Sequence, residues 1–303
     1  MEQNPDLGNK ILSPALFDRK LLALRRKRRQ TGGLNFFYTE IAHRLCEDLS
    51  FVGRDFGAIA DISADNGILA GQLRAQYPGA SIVSLDTQTT PNANSAIADI
   101  DFLPLAKHSV DLVISNLSLH LVNDVPGVMA QIRRALKPDG LFMAAFVGGD
   151  SLVELRQCLM DADIEFSGGS SARVIPLPDF ASSSQLLSRA EFALPVAHHE
   201  TITIAFDNMF DLLRAIRESG NANFMVHRAK KPLRRDMIAR AAELYTQRFS
   251  KNGKIGATAQ IIYLTGWAPA DSQPKAMRPG SATHRLADAL NTVEHSTGDK
   301  TGL

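Results

Sequence analysis

The chain has 303 residues, 45% of them hydrophobic, so it can bury a large core as one elaborated domain or two small ones. Lys and Arg total 33 against 32 Asp and Glu, so the protein has no global positive field that would attract nucleic acid. The chain has two cysteines, no apolar run of roughly 18 residues and no apolar signal core at the N-terminus. These features predict a protein without disulfides, structural zinc or a transmembrane segment. A bacterial-type cytoplasm is the simplest location that they predict.

The first predicted element is a strongly basic amphipathic helix over residues 17–29. Seven of the eleven residues from Arg19 to Arg29 are Lys or Arg, and apolar residues recur along the other side. One interpretation is that this helix contacts an anionic partner or, peripherally, a membrane surface. The other is that its basic face is solvated while the helix lies over the rest of the protein. A second helix is predicted over 36–49.

Strands and helices then alternate. The runs at 57–62 and 81–86 are short and largely apolar, as buried strands are, and helical spacing over 68–77 lies between them. A polar loop follows the second run, and 98–100 is a candidate third strand. This order is typical of a sheet covered by helices.

The clearest pattern is a strand, a helix and a strand in the middle of the chain. The β-branched run 110–114 predicts a strand buried on both faces. Asn123 or Asp124 can cap the following helix, which has Pro126 in its first turn, and a second buried strand is predicted at 141–147. Such a βαβ unit has parallel strands, so the sequence predicts a doubly wound, mostly parallel α/β sheet.

After residue 150 the pattern becomes more helical. Helices are predicted over 152–159, 186–192, 208–218 and 233–249, and strands over 201–206 and 260–267. A loop rich in Gly, Ser and Pro at 167–178 is a candidate covering loop. The predicted parts are an N-terminal basic helical segment (1–50), a core (51–206), a helical cap with the final strand (207–268) and a polar tail (269–303).

Short sequence segments in and around the βαβ unit resemble a known family. DLVISN at 111–116, LKPDG at 136–140 and the strand LFMAAF after it resemble class I S-adenosylmethionine (SAM)-dependent methyltransferases. LSLHLVND at 117–124, FVGGDSLVELR at 146–156 and RPGSAT at 278–283 resemble, more narrowly, the complex I assembly factors of the arginine-hydroxylase type.

This resemblance implies a fold, a cofactor, a partner and an activity. The fold is the class I SAM-methyltransferase (Rossmann-like) sheet, in which the last strand enters antiparallel between its neighbours and a C-terminal helical cap shapes the substrate entrance. The cofactor is SAM. The partner is a subunit of complex I, and the activity is hydroxylation of an arginine on that subunit.

Three acidic residues fall at predicted strand ends, where open α/β sheets bind ligands: Asp61, Asp86 and Asp99. The resemblance implies that Asp86 accepts hydrogen bonds from the ribose hydroxyls, that Asp99 holds the adenine amino group, and that Asp61 lies under the amino-acid end of SAM. It also puts Ser115 and Asn116 on the rim beside the cofactor. The alternative is that the three acids are turn or capping residues, which Asp favours at such places.

The loop after the first strand departs from the family pattern. The family has Asp-x-Gly-x-Gly-x-Gly, whereas this chain has DISADNG from Asp61 to Gly67. Ser63 and Gly67 remain candidate cofactor contacts, but Asp65 adds bulk and a charge that would repel the pyrophosphate of a dinucleotide. The alternative is a ligand-free helix cap formed by Asp65 or Asn66, with weak or absent SAM binding.

Candidate catalytic residues are His120, Asp150 and Glu154. His120 follows the fourth strand and is either a general base or a packed histidine at a helix start. Asp150 and Glu154 follow the fifth strand and can either receive an arginine side chain by bidentate pairing or cap the next helix. The residues 198–200, His-His-Glu, would alternate in direction along a strand, so no metal ligands are predicted.

Three functions remain open from the sequence. The first is a complex I assembly enzyme that modifies an arginine of a partner subunit. The second is a SAM-dependent methyltransferase acting on a small molecule or a carrier protein, similar to the family that forms malonyl carrier-protein methyl esters. The third is a non-catalytic assembly chaperone with a degenerate SAM loop.

Overall fold

The computed structural model of the protein describes residues 15–29, 32–63, 65, 67–88, 94–230, 232–274 and 286–293. The chain forms one compact unit over Met1–Pro269 and a second over Ala270–Leu303. In the second unit the described structure includes one short helix, Leu286–Ala289. The RPGSAT segment at 278–283 lies outside the described residues. The division of the first unit into segment, core and cap stays a prediction.

Strands and helices alternate through the first half of the first unit. The strands are β1 Ala58–Asp61, β2 Ser81–Asp86, β3 Ser95–Ile97, β4 Val110–Asn116, β5 Leu136–Val147, β6 Ala193–Phe206, β7 Ser250–Lys251 and β8 Lys254–Trp267. The helices are α1 Arg19–Lys27, α2 Asn35–Phe51, α3 Ile68–Gln76, α4 Val125–Ala135, α5 Val153–Ser167, α6 Phe180–Arg189, α7 Met209–Glu218 and α8 Arg235–Phe249; the short helix of the second unit is α9.

The described strands form one twisted sheet in the order β3-β2-β1-β4-β5-β8-β6, with β7 paired to β8. The strands from β3 to β5 are parallel, and β8 lies antiparallel between β5 and β6. The predicted doubly wound sheet is confirmed, and so is the antiparallel insertion that the methyltransferase resemblance implied.

Helices cover both faces of the parallel part because its strands carry apolar side chains in both directions. Ile59 packs in a cluster with Ile41 of α2 and Leu73 of α3, whereas Ala60, the next residue, packs on the other face with Ile132 of α4. All five side chains are fully buried. The core therefore lies in two layers, one above and one below the sheet.

The helical cap packs where β6 and β8 extend beyond the parallel strands. Leu155 of α5, Leu212 of α7 and Tyr245 of α8 share a buried cluster with Ile255 and Ala257 of β8. The Tyr245 hydroxyl donates to the carbonyl of Gly256 at 2.9 Å. Helices α7 and α8 are thus held on α5 and on the paired strands β6 and β8.

Several predicted boundaries were wrong. The third strand lies at Ser95–Ile97 rather than 98–100, so Asp99 sits in the loop after it. β6 and β8 begin at Ala193 and Lys254, well before the predicted 201 and 260, because the two strands pair with each other along nearly their whole length. The helix predicted at 186–192 is α6, which begins after the capping side chain of Asp179.

Candidate functional site

The candidate site lies at the carboxyl ends of the parallel strands. Asp61, the last residue of β1, pairs with Ser84 of β2 and with Ile114 of β4. The ends of β1, β2 and β4 are therefore neighbours, which brings Asp61, Asp86 and the Ser115–Asn116 pair to one edge of the sheet. This is where an open α/β sheet binds its ligand.

Asp61 is fully buried and its carboxylate organises the loop after β1. It accepts a hydrogen bond from the backbone N–H of Ser63 at 2.9 Å and one from the Ser84 hydroxyl at 3.3 Å. Burial, followed by the charge of the nearby Asp65, raises the pKa of Asp61 above its ordinary value. The role of Asp61 in this structure is to fix the loop.

Asp65 forms the helix cap that the sequence left open as an alternative. Its carboxylate accepts from the backbone N–H groups of Gly67, Ile68 and Leu69, each at 3.0 Å, and from the Asn116 amide at 2.9 Å. These N–H groups open α3 and have no partners within the helix. A carboxylate thus sits where a glycine-rich loop would offer its N–H groups to a ligand.

Serine and asparagine side chains tie this loop to the end of β4. The Ser63 hydroxyl accepts from the Asn116 backbone N–H at 2.7 Å. The Ser118 hydroxyl donates to the Ile62 carbonyl at 2.9 Å and lies 2.6 Å from the Ser115 hydroxyl. Ser63, Ser115 and Asn116 are therefore adjacent to the predicted cofactor position, but their polar atoms mainly hold the loop in place.

Two arginines of α1 lie on the remaining predicted cofactor carboxylates. An Arg26 guanidinium nitrogen is 3.7 Å from Asp86, with both side chains buried. Arg19 donates to Asp99 at 2.5 Å and is 3.3 Å from Asp101. Burial alone would raise the pKa of Asp99, but the hydrogen bond and charge of Arg19 hold it below its ordinary value. The basic helix thus lies over the strand ends through these two side chains.

The space left between these groups is small. A cavity of about 10 Å³ remains between Arg19, Arg26, Ser63, Asp86 and Ser118, which is about the room of one water molecule. The carboxylates suit SAM chemically, because ribose hydroxyls and the adenine amino group are donors. In this arrangement, however, the guanidinium groups of Arg19 and Arg26 already contact those carboxylates. SAM bound at these carboxylates, as the sequence predicts, would therefore compete with the arginines of α1 for Asp86 and Asp99.

A second, much larger cavity lies on the other side of the turn after β4. Its volume is about 700 Å³, and it is lined by residues of α1, α2, α5, α7 and the extended ends of β6 and β8. The 3-10 turn Leu119–Leu121 separates the two spaces, since Leu121 lines the small cleft and His120 lines the large cavity. A substrate in the cavity would therefore lie next to the cofactor cleft.

His120 is buried in the wall of this cavity. Its Nδ1 atom has no hydrogen-bond partner within the described part of the chain. Burial, and secondarily the charge of Arg26, lower the pKa of His120 to about 3. The imidazole is therefore neutral at physiological pH, but a pKa so far below neutrality makes it a weak general base.

His120 should make the protein sensitive to acid. A histidine whose pKa falls on folding costs stability as the pH drops below its unfolded value near 6.5, because only the unfolded chain takes up the proton. Between pH 7 and pH 4 we expect the wild type to lose about 3 kcal/mol more unfolding free energy than a His120→Gln variant. Urea titrations at both pH values would measure this. His43→Gln, at an exposed histidine, is the control and should follow the wild type.

Asp150 and Glu154 do not form a joint receptor for an arginine. Glu154 is buried, and its carboxylate accepts from the backbone N–H of Thr258 at 3.2 Å and from the Thr258 hydroxyl. Asp150 is exposed and accepts from the Gln260 amide at 2.8 Å. Neither residue lines the large cavity. The expectation for Glu154 is not met by this arrangement, because its carboxylate fastens α5 to β8.

Sequence reasoning missed four side chains of the site. Arg19 and Arg26 were seen only as members of a basic run. Tyr38 and Asn221 both line the large cavity, and the Asn221 amide donates to the Tyr38 hydroxyl at 2.5 Å, while its Oδ1 has no hydrogen-bond partner in the described residues. The two residues are 183 positions apart, so no local pattern could have linked them.

The two histidines of the segment 198–200 contact aromatic rings. His198 stacks on Tyr263, while the next residue, His199, contacts Phe180. Within the described ranges no group of three or more His, Cys, Asp or Glu side chains is arranged to hold a metal. None of the helices in the described part of the chain is long and apolar enough to cross a membrane.

Comparison with known proteins relates both the core and the whole chain to methyltransferase-like proteins. Residues 60–144 match the family model described as a methyltransferase domain. The YcgJ protein of Bacillus subtilis has a similar fold, with a TM-score of 0.52 and 14% identity over 75% of this chain and 99% of that one. These findings agree with the class I SAM-methyltransferase fold.

Relatives that match over most of their length indicate which methyltransferase-like family the chain belongs to. A malonyl-[acyl-carrier protein] O-methyltransferase from Xylella fastidiosa is 30% identical over 76% of this chain and 80% of that protein. The mitochondrial arginine-hydroxylase NDUFAF5 of Rattus norvegicus is 35% identical over 90% of this chain and 83% of that protein. The resemblance found in the sequence is thereby confirmed, and the chain belongs to the family of the NDUFAF5 arginine-hydroxylases.

Proposed function

We propose that the protein modifies an arginine side chain on a partner subunit of complex I and so contributes to the assembly of that complex. The observation that carries the proposal is the 35% identity to an arginine-hydroxylase over 90% of this chain. The site supports it in general form, because a large cavity lies beside the strand ends where the cofactor is predicted. The match of residues 60–144 to a methyltransferase domain supports SAM as the cofactor.

In this proposal Asp86 and Asp99 hold the ribose and the adenine of SAM once Arg26 and Arg19 have left them. SAM supplies a methyl group in the enzymes that use it as a substrate. Asp150 is the carboxylate offered to the partner's arginine, because it is exposed and directly precedes Ser151, which lines the cavity.

The basic helix contributes a smaller surface to partner binding than its composition suggests. Lys20, Lys27 and Arg28 are its exposed cations, whereas Arg19 and Arg26 face carboxylates of the core. We assign the peripheral contact with an anionic partner or membrane to these three exposed side chains. The location that we propose for the protein is a bacterial-type cytoplasm. Such a contact would weaken as salt rises.

Deleting the gene is expected to lower the amount of assembled complex I and to leave one arginine of a partner subunit unmodified. Mass spectrometry of the subunit from wild-type cells should then show one added oxygen at that arginine. An added methyl group would indicate methyl transfer instead, and no modification would indicate a non-catalytic chaperone. Unchanged complex I after deletion would contradict the proposal.

Asp150→Asn tests the contact with the arginine, since it keeps the size of the side chain and removes its charge. We expect the modified fraction to fall at least tenfold in cells that carry this variant. Asp207→Asn, at an exposed carboxylate that pairs with Lys254, is the matched control. Normal modification by Asp150→Asn would remove Asp150 from the substrate side without affecting the family assignment.

A second candidate function is methyl transfer to the carboxylate of an acyl carrier protein. It is favoured by the 30% identity to a malonyl-carrier methyltransferase and by the cavity, which has arginines and no carboxylate in its wall. Incubation of the purified protein with labelled SAM and malonyl-loaded carrier protein should transfer label to the carrier if this function holds.

A further inference from the structure

The walls of the large cavity are mainly apolar, and its polar groups are unevenly distributed. Leu155 and Leu159 of α5 face Leu212 and Ile216 of α7 across it. With a volume of about 700 Å³, the cavity is within the range of pockets that bury an entire small ligand. An apolar ligand or an apolar part of a ligand is what such walls stabilise.

Charged groups in the wall have one sign. Among the described lining residues the cations are Arg25, Arg173, Arg228 and Lys230, and none is Asp or Glu. Arg173 is neutralised behind the wall by a bidentate contact with Asp163, at 2.9 and 3.1 Å. The other three cations are therefore the ones that matter for a ligand.

The three remaining cations share a single nearby carboxylate. Asp18 lies 3.7 Å from Arg228, and neither Arg25 nor Lys230 has an ion pair within the described residues. Arg25 donates instead to the carbonyls of Ala222 and Asn223, both at 2.5 Å. Burial first, and the charge of Arg228 second, lower the pKa of Arg25.

The exposed lining residues indicate where the cations lie relative to the opening of the cavity. Ala229 and Lys230 are the exposed lining residues, whereas the rest of the lining is buried or half-buried. The cavity thus opens on its cationic side and is apolar further in.

We propose that this cavity binds a single-chain fatty acid, with the hydrocarbon chain between α5 and α7 and the carboxylate at Arg25 and Lys230. The inference goes beyond the arginine chemistry proposed above and does not rest on it. A carboxylate would supply the anion that the excess cations lack, and the chain would displace water from the leucine and isoleucine side chains. The neighbouring cofactor cleft is not required for this binding.

The direct test is calorimetric titration of the full-length protein with decanoate, dodecanoate and tetradecanoate below their micelle concentrations. Affinity should rise about fourfold for each added CH₂, which corresponds to about 0.8 kcal/mol. Dodecanol should bind at least tenfold more weakly than dodecanoate, because it has no charge for the cations. Dodecyltrimethylammonium should not bind measurably, because its head group is repelled.

Paired variants locate the two ends of the ligand. Lys230→Met and Arg25→Met should each weaken dodecanoate binding about tenfold and leave dodecanol binding unchanged, whereas Arg214→Met, at an exposed arginine of α7, should change neither. Lys230 is exposed, so its variant should fold even if the Arg25 variant does not. Leu213→Trp should obstruct the cavity between α5 and α7 and abolish both, while Phe210→Trp, at an exposed position of the same helix, should not.

Two outcomes would overturn the proposal. Equal binding of the carboxylate, the alcohol and the ammonium compound would show that the cations recognise no head group. Dodecanoate binding that survives Leu213→Trp would place the ligand outside the cavity. Either result would leave the proposed arginine modification untouched, since that is measured on the partner subunit.

Discussion

Asp65→Gly is expected to lower the free energy of unfolding by about 3–5 kcal/mol, although it restores a glycine that the family pattern has at this position. The carboxylate of Asp65 is fully buried and satisfies three backbone N–H groups and the Asn116 amide. Each buried donor that loses its partner costs about 1–3 kcal/mol. Relief of the repulsion between Asp65 and Asp61 offsets part of this loss. Urea denaturation at pH 7 measures the result.

Asp124→Gly is the matched control for Asp65→Gly. Asp124 caps α4 in an exposed position and accepts from the Gly127 backbone N–H at 2.9 Å. Its loss should cost only a few tenths of a kcal/mol, because glycine is itself tolerated at such a cap and water can replace the missing acceptor. If the two variants lost the same free energy of unfolding, the hydrogen bonds of Asp65 would contribute no more stability than those of an exposed cap. The loop after β1 would then be free to open for a ligand at little cost.

The parallel core was predictable because its signals are local. The run 110–114 is apolar at almost every position, as a strand covered on both faces must be, and it forms the interior of β4. Asp124 was one of two predicted caps of α4, and it is the one that accepts the hydrogen bond. The acids at strand ends could be placed on one edge of the sheet for the same reason, since chain order and parallel pairing determine that edge.

The ion pairs of those acids could not be predicted, because the arginines that contact them are distant in sequence. Arg19 and Asp99 are 80 residues apart, and nothing in a run of seven cations indicates which of them turn inward. The same holds for the large cavity, whose wall combines α1, α5 and α7. The third strand was placed too late because Ser95–Ile97 is only three residues long and pairs with one neighbour. Local propensity has little weight over so short a segment.

Arg26→Met is expected to tighten SAM binding at least tenfold, about 1.4 kcal/mol, although the same variant should be less stable without SAM. Arg26 is buried beside Asp86, and its Nε atom has no hydrogen-bond partner in the described residues. Removing the guanidinium frees the Asp86 carboxylate for ribose hydroxyls and enlarges a cleft of about 10 Å³. Asp86→Ala should act in the opposite direction and lose two charge-assisted hydrogen bonds, about 1.5–3 kcal/mol each. Calorimetric titration with SAM measures both variants.

Arg28→Met removes the same charge from an exposed position at the end of α1 and should leave SAM affinity within twofold of the wild type. This control separates competition at Asp86 from a general effect of the basic helix, which would be screened by salt and shared by every arginine. Weaker SAM binding by Arg26→Met would contradict the competition and make Arg26 a ligand of the cofactor. Undiminished binding by Asp86→Ala would place SAM elsewhere, because no other carboxylate ends β2. With competition upheld, α1 must move before SAM can bind, and its exposed cations Lys20, Lys27 and Arg28 become the surface through which a partner can promote that movement.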